Sequence, residues 1–195
     1  MQGGLPMKKI ILVNASPRKN GNCSKAMDII RENIADAEVE IFNLREKTVQ
    51  PCLACNACKM KETAYCVQND DMGALLSRLD SCDALVVASP VYFGTVNGPA
   101  KTFLDRIYPF FNPAKENATI ATKFGKKCLV LLTAGSMPKE VITQAGEAYN
   151  CFGIAGFTDS KVVAFNSEKS GMAANIFSIE EDAQRVKELA AWLAE

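Results

Sequence analysis

Short apolar runs alternate with helical patterns along the chain. Five runs are too short for helices and rich in β-branched residues, which is typical of strands buried on both faces of a sheet. They lie at Lys8 to Asn14, Val39 to Leu44, Ala84 to Ala88, Leu129 to Leu132 and Lys161 to Phe165. Strands that alternate with amphipathic helices predict a parallel sheet covered by helices on both faces. The pattern therefore predicts one α/β domain with five strands.

Residues that favour helix starts stand at the head of several helical patterns. They are Asn69 or Asp70 for the second helix, Pro99 and Pro138 for the next two, and the capping-box pair Ser178 and Glu181 for the last. The stretch 112–127 has no organised pattern and is expected to be an inserted loop.

Composition and charge exclude several classes of function. The 195 residues are 48% hydrophobic, and 22 Lys and Arg balance 22 Asp and Glu. A binder of nucleic acid or of a membrane surface would carry a basic excess, so neither partner is expected. The chain has no histidine, which excludes Ser-His-Asp and Cys-His catalysis and histidine-ligated metals.

The sequence predicts a cytoplasmic location. The first six residues are too short and too polar for a secretory signal, and the charge-free stretch 84–100 contains two prolines and is too short to span a membrane. In a reducing cytoplasm cysteines serve as thiols, metal ligands or redox groups rather than as structural disulfides.

The loop after the first strand has the features of a phosphate site. It leads from a buried strand into a helix, whose N-terminus offers unpaired N–H groups and a partial positive charge. Ser16, Asn22 and Ser24 add short hydrogen-bond donors. Gly21 permits a tight turn, and Arg18 adds positive charge. The alternative is a capped helix after a proline turn, with no ligand.

Two more loops are expected at the same edge of the sheet. For the strand order 2-1-3-4-5, ligands bind between the first and third strands. The loop 89–95 places Tyr92 and Phe93 where a flat ring would lie, and 133–136 adds small residues that let a ligand approach the backbone. A flat ring that carries one phosphate describes FMN. The alternative for the two aromatic residues is an ordinary place in the core.

These segments together resemble the flavodoxin-like NAD(P)H-dependent FMN reductases, and among them the iron–sulfur flavoprotein branch. The matching segments are 16–18, 21–24, Cys52-x2-Cys55-x2-Cys58 with Cys66, 70–72, 89–93 and 101–106. The resemblance implies a flavodoxin-like, doubly wound sheet of five parallel strands in one domain over residues 1–195. It also implies a homodimer or homotetramer with the flavin near a subunit interface.

The resemblance implies which residues hold FMN. The phosphate set is Ser16, Arg18, Asn22, Cys23 and Ser24, and the set beside the ribityl chain and the ring is Pro90, Val91, Tyr92, Phe93 and Gly94, with Ala134, Gly135 and Ser136 closing the site. The family usually has Thr or Ser at the position of Cys23. This departure leaves only a backbone contact expected there.

Four of the eight cysteines lie in one long connection, residues 44–69. The spacing of Cys52, Cys55 and Cys58 suits ligands that wrap one 4Fe–4S cluster, with Cys66 as the fourth. Three alternatives remain open: structural zinc, redox-active free thiols, and packing residues without a metal. The gap before Cys66 is longer than is typical of the iron–sulfur branch. Cys82, Cys128 and Cys151 are expected to be small buried hydrophobic residues.

Electron transfer through FMN is the expected function. Electrons pass from NAD(P)H to a quinone, a free flavin or another small acceptor, and no residue is assigned as a catalytic acid or base because the cofactor carries the chemistry. A second hypothesis is an iron–sulfur flavoprotein that carries electrons supplied by ferredoxin. A third is a non-catalytic metal-binding or regulatory module.

Overall fold

The computed structural model describes residues 7–60, 65–171 and 174–195; the N-terminal hexapeptide and residues 61–64 of the cysteine connection lie outside them. The strands are β1 (Lys8–Asn14), β2 (Ala37–Asn43), β3 (Ala84–Tyr92), β4 (Thr95–Val96), β5 (Lys127–Ala134) and β6 (Asp159–Asn166). Five of them are parallel, in the order β2-β1-β3-β5-β6. The predicted α/β parallel sheet in a single domain is confirmed.

The predicted count of five strands in the order 2-1-3-4-5 is wrong by one strand. β4 pairs antiparallel with β3, through Val91 with Val96 and Tyr92 with Thr95. The connecting turn is Phe93-Gly94, and both residues have positive φ, 51° and 77°. Such two-residue hairpin turns usually carry Asn-Gly or Asp-Gly. A strand of two residues after an untypical turn leaves no pattern in the sequence.

Helices cover both faces of the sheet. They are α1 (Asn22–Glu32), α2 (Ala57–Met60), α3 (Asp71–Ser81), α4 (Gly98–Asp105), α5 (Lys139–Gln144) and α6 (Glu180–Ala194). Successive residues of a strand point to opposite faces. Ile10 and Leu12 therefore pack with α1 and α6, whereas Ile11 and Val13 pack with α3, α4, α5 and the 3-10 helix Glu147–Ala155. No helix in the described part of the chain is long and apolar enough to cross a membrane.

The predicted capping box at the start of the last helix is wrong. α6 begins at Glu180, after Ile179, and no side chain caps it. The Ser178 hydroxyl instead donates a hydrogen bond to the Asn175 carbonyl at 2.7 Å, within a short 3-10 turn. Residues 112–127, expected to be a loop, contain one such turn at Glu116–Ala118, and Lys127 already belongs to β5.

Candidate functional site

A cleft of about 230 Å³ lies beyond the carboxyl ends of four parallel strands. Its lining consists of Ser16, Arg18, Gly21, Asn22 and Cys23 after β1, Pro90, Val91 and Tyr92 in β3, Thr133, Ala134 and Gly135 at the end of β5, and Ser167 after β6. The three loops expected to share this edge therefore meet in one cleft, and the segment after β6 joins them. This is the position at which open α/β sheets bind ligands.

Nine of the thirteen residues predicted to bind FMN line the cleft. The four that do not are Ser24, Phe93, Gly94 and Ser136. Ser24 instead accepts a hydrogen bond from the Asn14 side chain at 2.9 Å, which joins the start of α1 to the end of β1. Three lining residues were not among the thirteen: Gly21, Thr133 and Ser167. Ser167 follows β6 in a region without any recognisable motif.

The loop after β1 is shaped by Asn14, the last residue of that strand. The Asn14 side-chain oxygen accepts a hydrogen bond from the Ser16 N–H at 3.0 Å, and the Ser16 hydroxyl accepts one from the Arg18 N–H at 3.2 Å. The chain then turns tightly, since a Cβ on Gly21 would lie 3.0 Å from the Arg18 Cβ. A side chain at this position would crowd the turn, so the loop favours glycine there.

The N-terminus of α1 opens into the cleft. Gly21 occupies the cap position, no side chain caps the helix, and the first turn contains no acidic residue. Unpaired N–H groups and the partial positive charge of the helix thus act beside Arg18, the only charged residue among the described residues that line the cleft. The combination suits an anion.

Cys23 is buried beneath this loop. Its sulfur lies 3.4 Å from the Thr133 hydroxyl oxygen, which joins α1 to β5. Burial raises the pKa of the Cys23 thiol to about 11, so the side chain stays neutral at neutral pH. The thiol that replaces the family's usual hydroxyl is thus a packing contact.

Tyr92 and Phe93 are both outside the core. The alternative interpretation, that the two aromatic residues are ordinary core residues, is therefore wrong. Tyr92 lines the cleft and is 44% exposed, whereas Phe93 is fully exposed at the hairpin turn and lies outside the lining. Phe93 also has a left-handed backbone conformation, which is unusual for a residue with a bulky side chain.

The four clustered cysteines line a separate cavity of about 20 Å³, together with Arg106 and Tyr108. All four are free thiols. Of the remaining cysteines, Cys82 and Cys128 are buried as predicted, whereas Cys151 is exposed, so the prediction that it is a buried hydrophobic residue is wrong. Burial raises the pKa of the Cys58 thiol; Lys59 opposes that rise, and the nearby Cys66 and Cys52 add to it.

The four cysteines do not converge on one point. In the described ranges, no group of three or more His, Cys, Asp or Glu side chains lies close enough to hold a metal ion. Four cysteine thiolates are a donor set that both zinc and a 4Fe–4S cluster accept.

A buried ion pair anchors the cysteine segment. Asp70, which caps α3 as predicted, accepts hydrogen bonds from both terminal nitrogens of Arg106, at 2.6 and 2.9 Å. Arg106 also donates to the Gln50 carbonyl at 2.7 Å and lies 3.5 Å from the Cys66 sulfur. Burial alone would raise the pKa of Asp70, but hydrogen bonds from Arg106 and the Gln50 N–H lower it below its usual value. The segment is thus tied to the helices at both of its ends.

Comparison with known proteins identifies relatives over most of the chain. The family model described as NADPH-dependent FMN reductase matches residues 8–168. An iron–sulfur flavoprotein from Archaeoglobus fulgidus is 33% identical over 148 residues, which are 75% of this chain and 64% of that protein. Another from Methanocaldococcus jannaschii is 35% identical over 105 residues, 52% of each. The chain thus spans about half to two thirds of the length of these curated relatives.

Solved structures share the fold over nearly the whole chain. An FMN-dependent NADH-azoreductase from Bacillus anthracis, in complex with FMN, superimposes with a TM-score of 0.67 at 17% identity, covering 96% of this chain and 100% of the other. An NAD(P)H:quinone oxidoreductase from Methanothermobacter marburgensis gives a TM-score of 0.72 at 15% identity, with coverage of 97% and 98%. At such identities the likeness establishes the fold.

Proposed function

The chain belongs to the NADPH-dependent FMN reductase family, and we propose that it is an FMN-dependent oxidoreductase that passes electrons from NAD(P)H to a small acceptor such as a quinone or a free flavin. One observation carries this proposal. Loops from the carboxyl ends of β1, β3, β5 and β6 line a single cleft, into which the uncapped N-terminus of α1 opens beside Arg18.

The residue types that line the cleft suit the chemical groups of FMN. The helix N-terminus and Arg18 suit the phosphate, and the end of β3 with Tyr92 offers backbone and an aromatic side chain to a planar ring. The lining contains no carboxylate among the described residues, so nothing there repels an anionic cofactor.

Bound FMN supplies the hydride and electron chemistry, and the chain supplies binding and orientation. Ser16, Arg18, Asn22 and the first N–H groups of α1 hold the phosphate in this proposal. Ala134 and Gly135 let backbone approach the cofactor closely. We assign no general acid or base to the chain, because the cofactor carries the chemistry.

FMN titration of the apoprotein, followed by quenching of flavin fluorescence, tests the proposal. We expect Arg18→Ala to weaken FMN binding by about tenfold or more, because a charge-assisted hydrogen bond to phosphate contributes about 1.5–3 kcal/mol. Lys19→Ala is the matched control, since Lys19 is exposed on the same loop but does not line the cleft. Oxidation of NADH and NADPH with a quinone acceptor then tests the reaction.

Two results would contradict the proposal. The first is wild-type protein that takes up no FMN. The second is an equal loss of affinity in Arg18→Ala and Lys19→Ala, because the cleft would then have no special role.

We propose a second candidate function, an iron–sulfur flavoprotein that carries electrons supplied by ferredoxin. It is supported by the four cysteines that line one cavity. Iron, sulfide and flavin assayed on the same anaerobic sample distinguish the two functions: about four irons per chain, without NAD(P)H oxidation, would favour the carrier. Cys58→Ser should then remove iron and spare FMN, whereas the control Cys151→Ser, outside that cavity, should retain both.

The proposal includes a homodimer or homotetramer and a cytoplasmic location. All eight cysteines are free thiols, two of the clustered ones are exposed, and a reducing compartment preserves such thiols. Neither a nucleic acid nor a membrane is proposed as a partner.

A further inference from the structure

Ser167 is a buried serine in the lining of the cleft. Only 4% of the residue is exposed, and its hydroxyl oxygen has no hydrogen-bond partner among the described residues. Both backbone groups of Ser167 are satisfied: its N–H donates to the Gly135 carbonyl at 3.1 Å, and its carbonyl accepts from the Gly171 N–H at 2.8 Å. Buried polar groups in folded proteins normally have partners, so the lone hydroxyl needs an explanation.

The position of Ser167 points to a ligand. It lines the same cleft as Arg18 and the first residues of α1. The segment that follows it packs on α1, since the Asn22 side-chain oxygen accepts a hydrogen bond from the Ile176 N–H at 3.2 Å. Ser167 and the N-terminus of α1 therefore share one cleft, and that helix has no side-chain cap among the described residues.

We propose that Ser167 donates a hydrogen bond to the phosphate of FMN; this rests on the proposed function. One anion would supply acceptors for the unpaired N–H groups of α1 and for the hydroxyl of Ser167. A serine has a single side-chain torsion with three staggered positions, so its hydroxyl can turn to a bound phosphate without moving the backbone. The phosphate site then includes the segment after β6 as well as the loop after β1.

Ser89 shows what a structural serine looks like in this fold. It is completely buried, and its hydroxyl donates to the Pro90 carbonyl at 2.9 Å and lies 3.2 Å from the Asn97 side-chain oxygen. Ser89 does not line the cleft. Removal of its hydroxyl breaks hydrogen bonds within the protein, whereas removal of the Ser167 hydroxyl breaks none with the described residues.

Ser167→Ala tests the inference, with Ser89→Ala as the control. We measure urea unfolding of each apoprotein and titrate each with FMN and with riboflavin, which lacks the phosphate. Ser167→Ala should keep or raise the urea midpoint, weaken FMN binding about tenfold, and leave riboflavin binding within about twofold. Ser89→Ala should lower the urea midpoint.

Each other outcome is decisive. An equal loss of FMN and riboflavin binding would place the Ser167 hydroxyl on the ring or ribityl chain and overturn the phosphate contact. A lowered urea midpoint in Ser167→Ala would make the residue structural. Unchanged FMN affinity in that variant, with normal wild-type binding, would overturn this inference alone. Failure of the wild type to bind FMN would overturn the proposed function as well.

Discussion

Gly156 ends the 3-10 helix Glu147–Ala155 in the left-handed conformation, with φ of 85°. A Cβ at this position would lie 1.9 Å from the Lys123 carbonyl oxygen. The Gly156 carbonyl also accepts a hydrogen bond from the Lys126 N–H at 3.1 Å. Both the dihedral angle and the close backbone approach require glycine here.

We expect Gly156→Ala to lower the free energy of unfolding by about 3 kcal/mol or more, since backbone atoms must move and the left-handed conformation disfavours a side chain. Gly153→Ala in the same 3-10 helix meets nothing within 4 Å and should change that free energy by no more than about 0.5 kcal/mol. Urea unfolding measures both. Similar losses in the two variants would contradict the argument.

For single residues, the sequence predicts those roles that depend on partners close in the chain. Asp70 is one of the two cap candidates for α3, Asn69 and Asp70, and it contacts N–H groups only two and three residues ahead. Ser167 was missed because the groups around it, such as Gly135 and the start of α1, come from distant segments. No local pattern marks a residue of that kind.

Among the secondary-structure elements, α3, α4 and the cysteine segment are joined by one buried ion pair. The side chains of Arg106 and Asp70 are 1% and 3% exposed. The exposed pair Lys101–Asp105 lies one turn away on α4, at 2.5 Å. The two pairs allow a direct comparison of a buried and an exposed ion pair.

Arg106→Leu should lower the free energy of unfolding by about 3–5 kcal/mol, because it leaves the Asp70 carboxylate buried without its counter-charge. Lys101→Ala should cost about 0.5 kcal/mol or less, since water screens the exposed pair. Urea unfolding gives both values. Limited proteolysis of Arg106→Leu should also show faster cleavage within residues 48–60, which lose the anchor at Gln50. If Arg106→Leu lost no more free energy of unfolding than Lys101→Ala, the buried ion pair would not have this anchoring role.

The elements with a full apolar pattern were predictable, and those formed by tertiary pairing were not. The five parallel strands follow from runs of Val, Ile and Leu, whose burial on both faces needs no knowledge of their neighbours. β4 is held only by its pairing with the end of β3, and α6 begins where a neighbouring turn has already engaged Ser178. Such boundaries depend on the folded chain.

For the whole molecule, buried thiols make the free energy of unfolding fall as pH rises in the alkaline range. Burial raises the pKa of Cys23 from 9.0 to about 11, raises that of Cys82 from 9.0 to about 12, and also raises that of Cys128. Above pH 9 the unfolded chain loses these protons while the folded protein keeps them. Their contribution to stability is therefore full below about pH 9 and is lost as pH rises towards the folded-state values.

We expect each such thiol to lower the free energy of unfolding by about 1.4 kcal/mol per pH unit between pH 9 and its folded-state pKa. Urea unfolding in reducing buffer at pH 8 to 10.5 measures the slope. Cys82→Ala should make the slope shallower by about that amount, whereas Cys55→Ala, at an exposed cysteine, should leave it unchanged. Equal slopes in all three proteins would contradict the linkage.

At the level of the molecule, the sequence predicts the cleft but not its full boundary. The three loops at the ends of the parallel strands follow from alternating βα units. The packing of the segment after β6 on α1 does not, because Asn22 and Ile176 are 154 residues apart. Only the folded structure brings that fourth wall to the site.

That separation has a consequence for how the protein is made. A ribosome releases a chain from its N-terminus, so the loop after β1 emerges early and Ser167 emerges late. The hydrogen bond between Asn22 and Ile176 forms only after both have left the ribosome. A nascent chain therefore has an open cleft that lacks one wall until the segment after β6 has emerged.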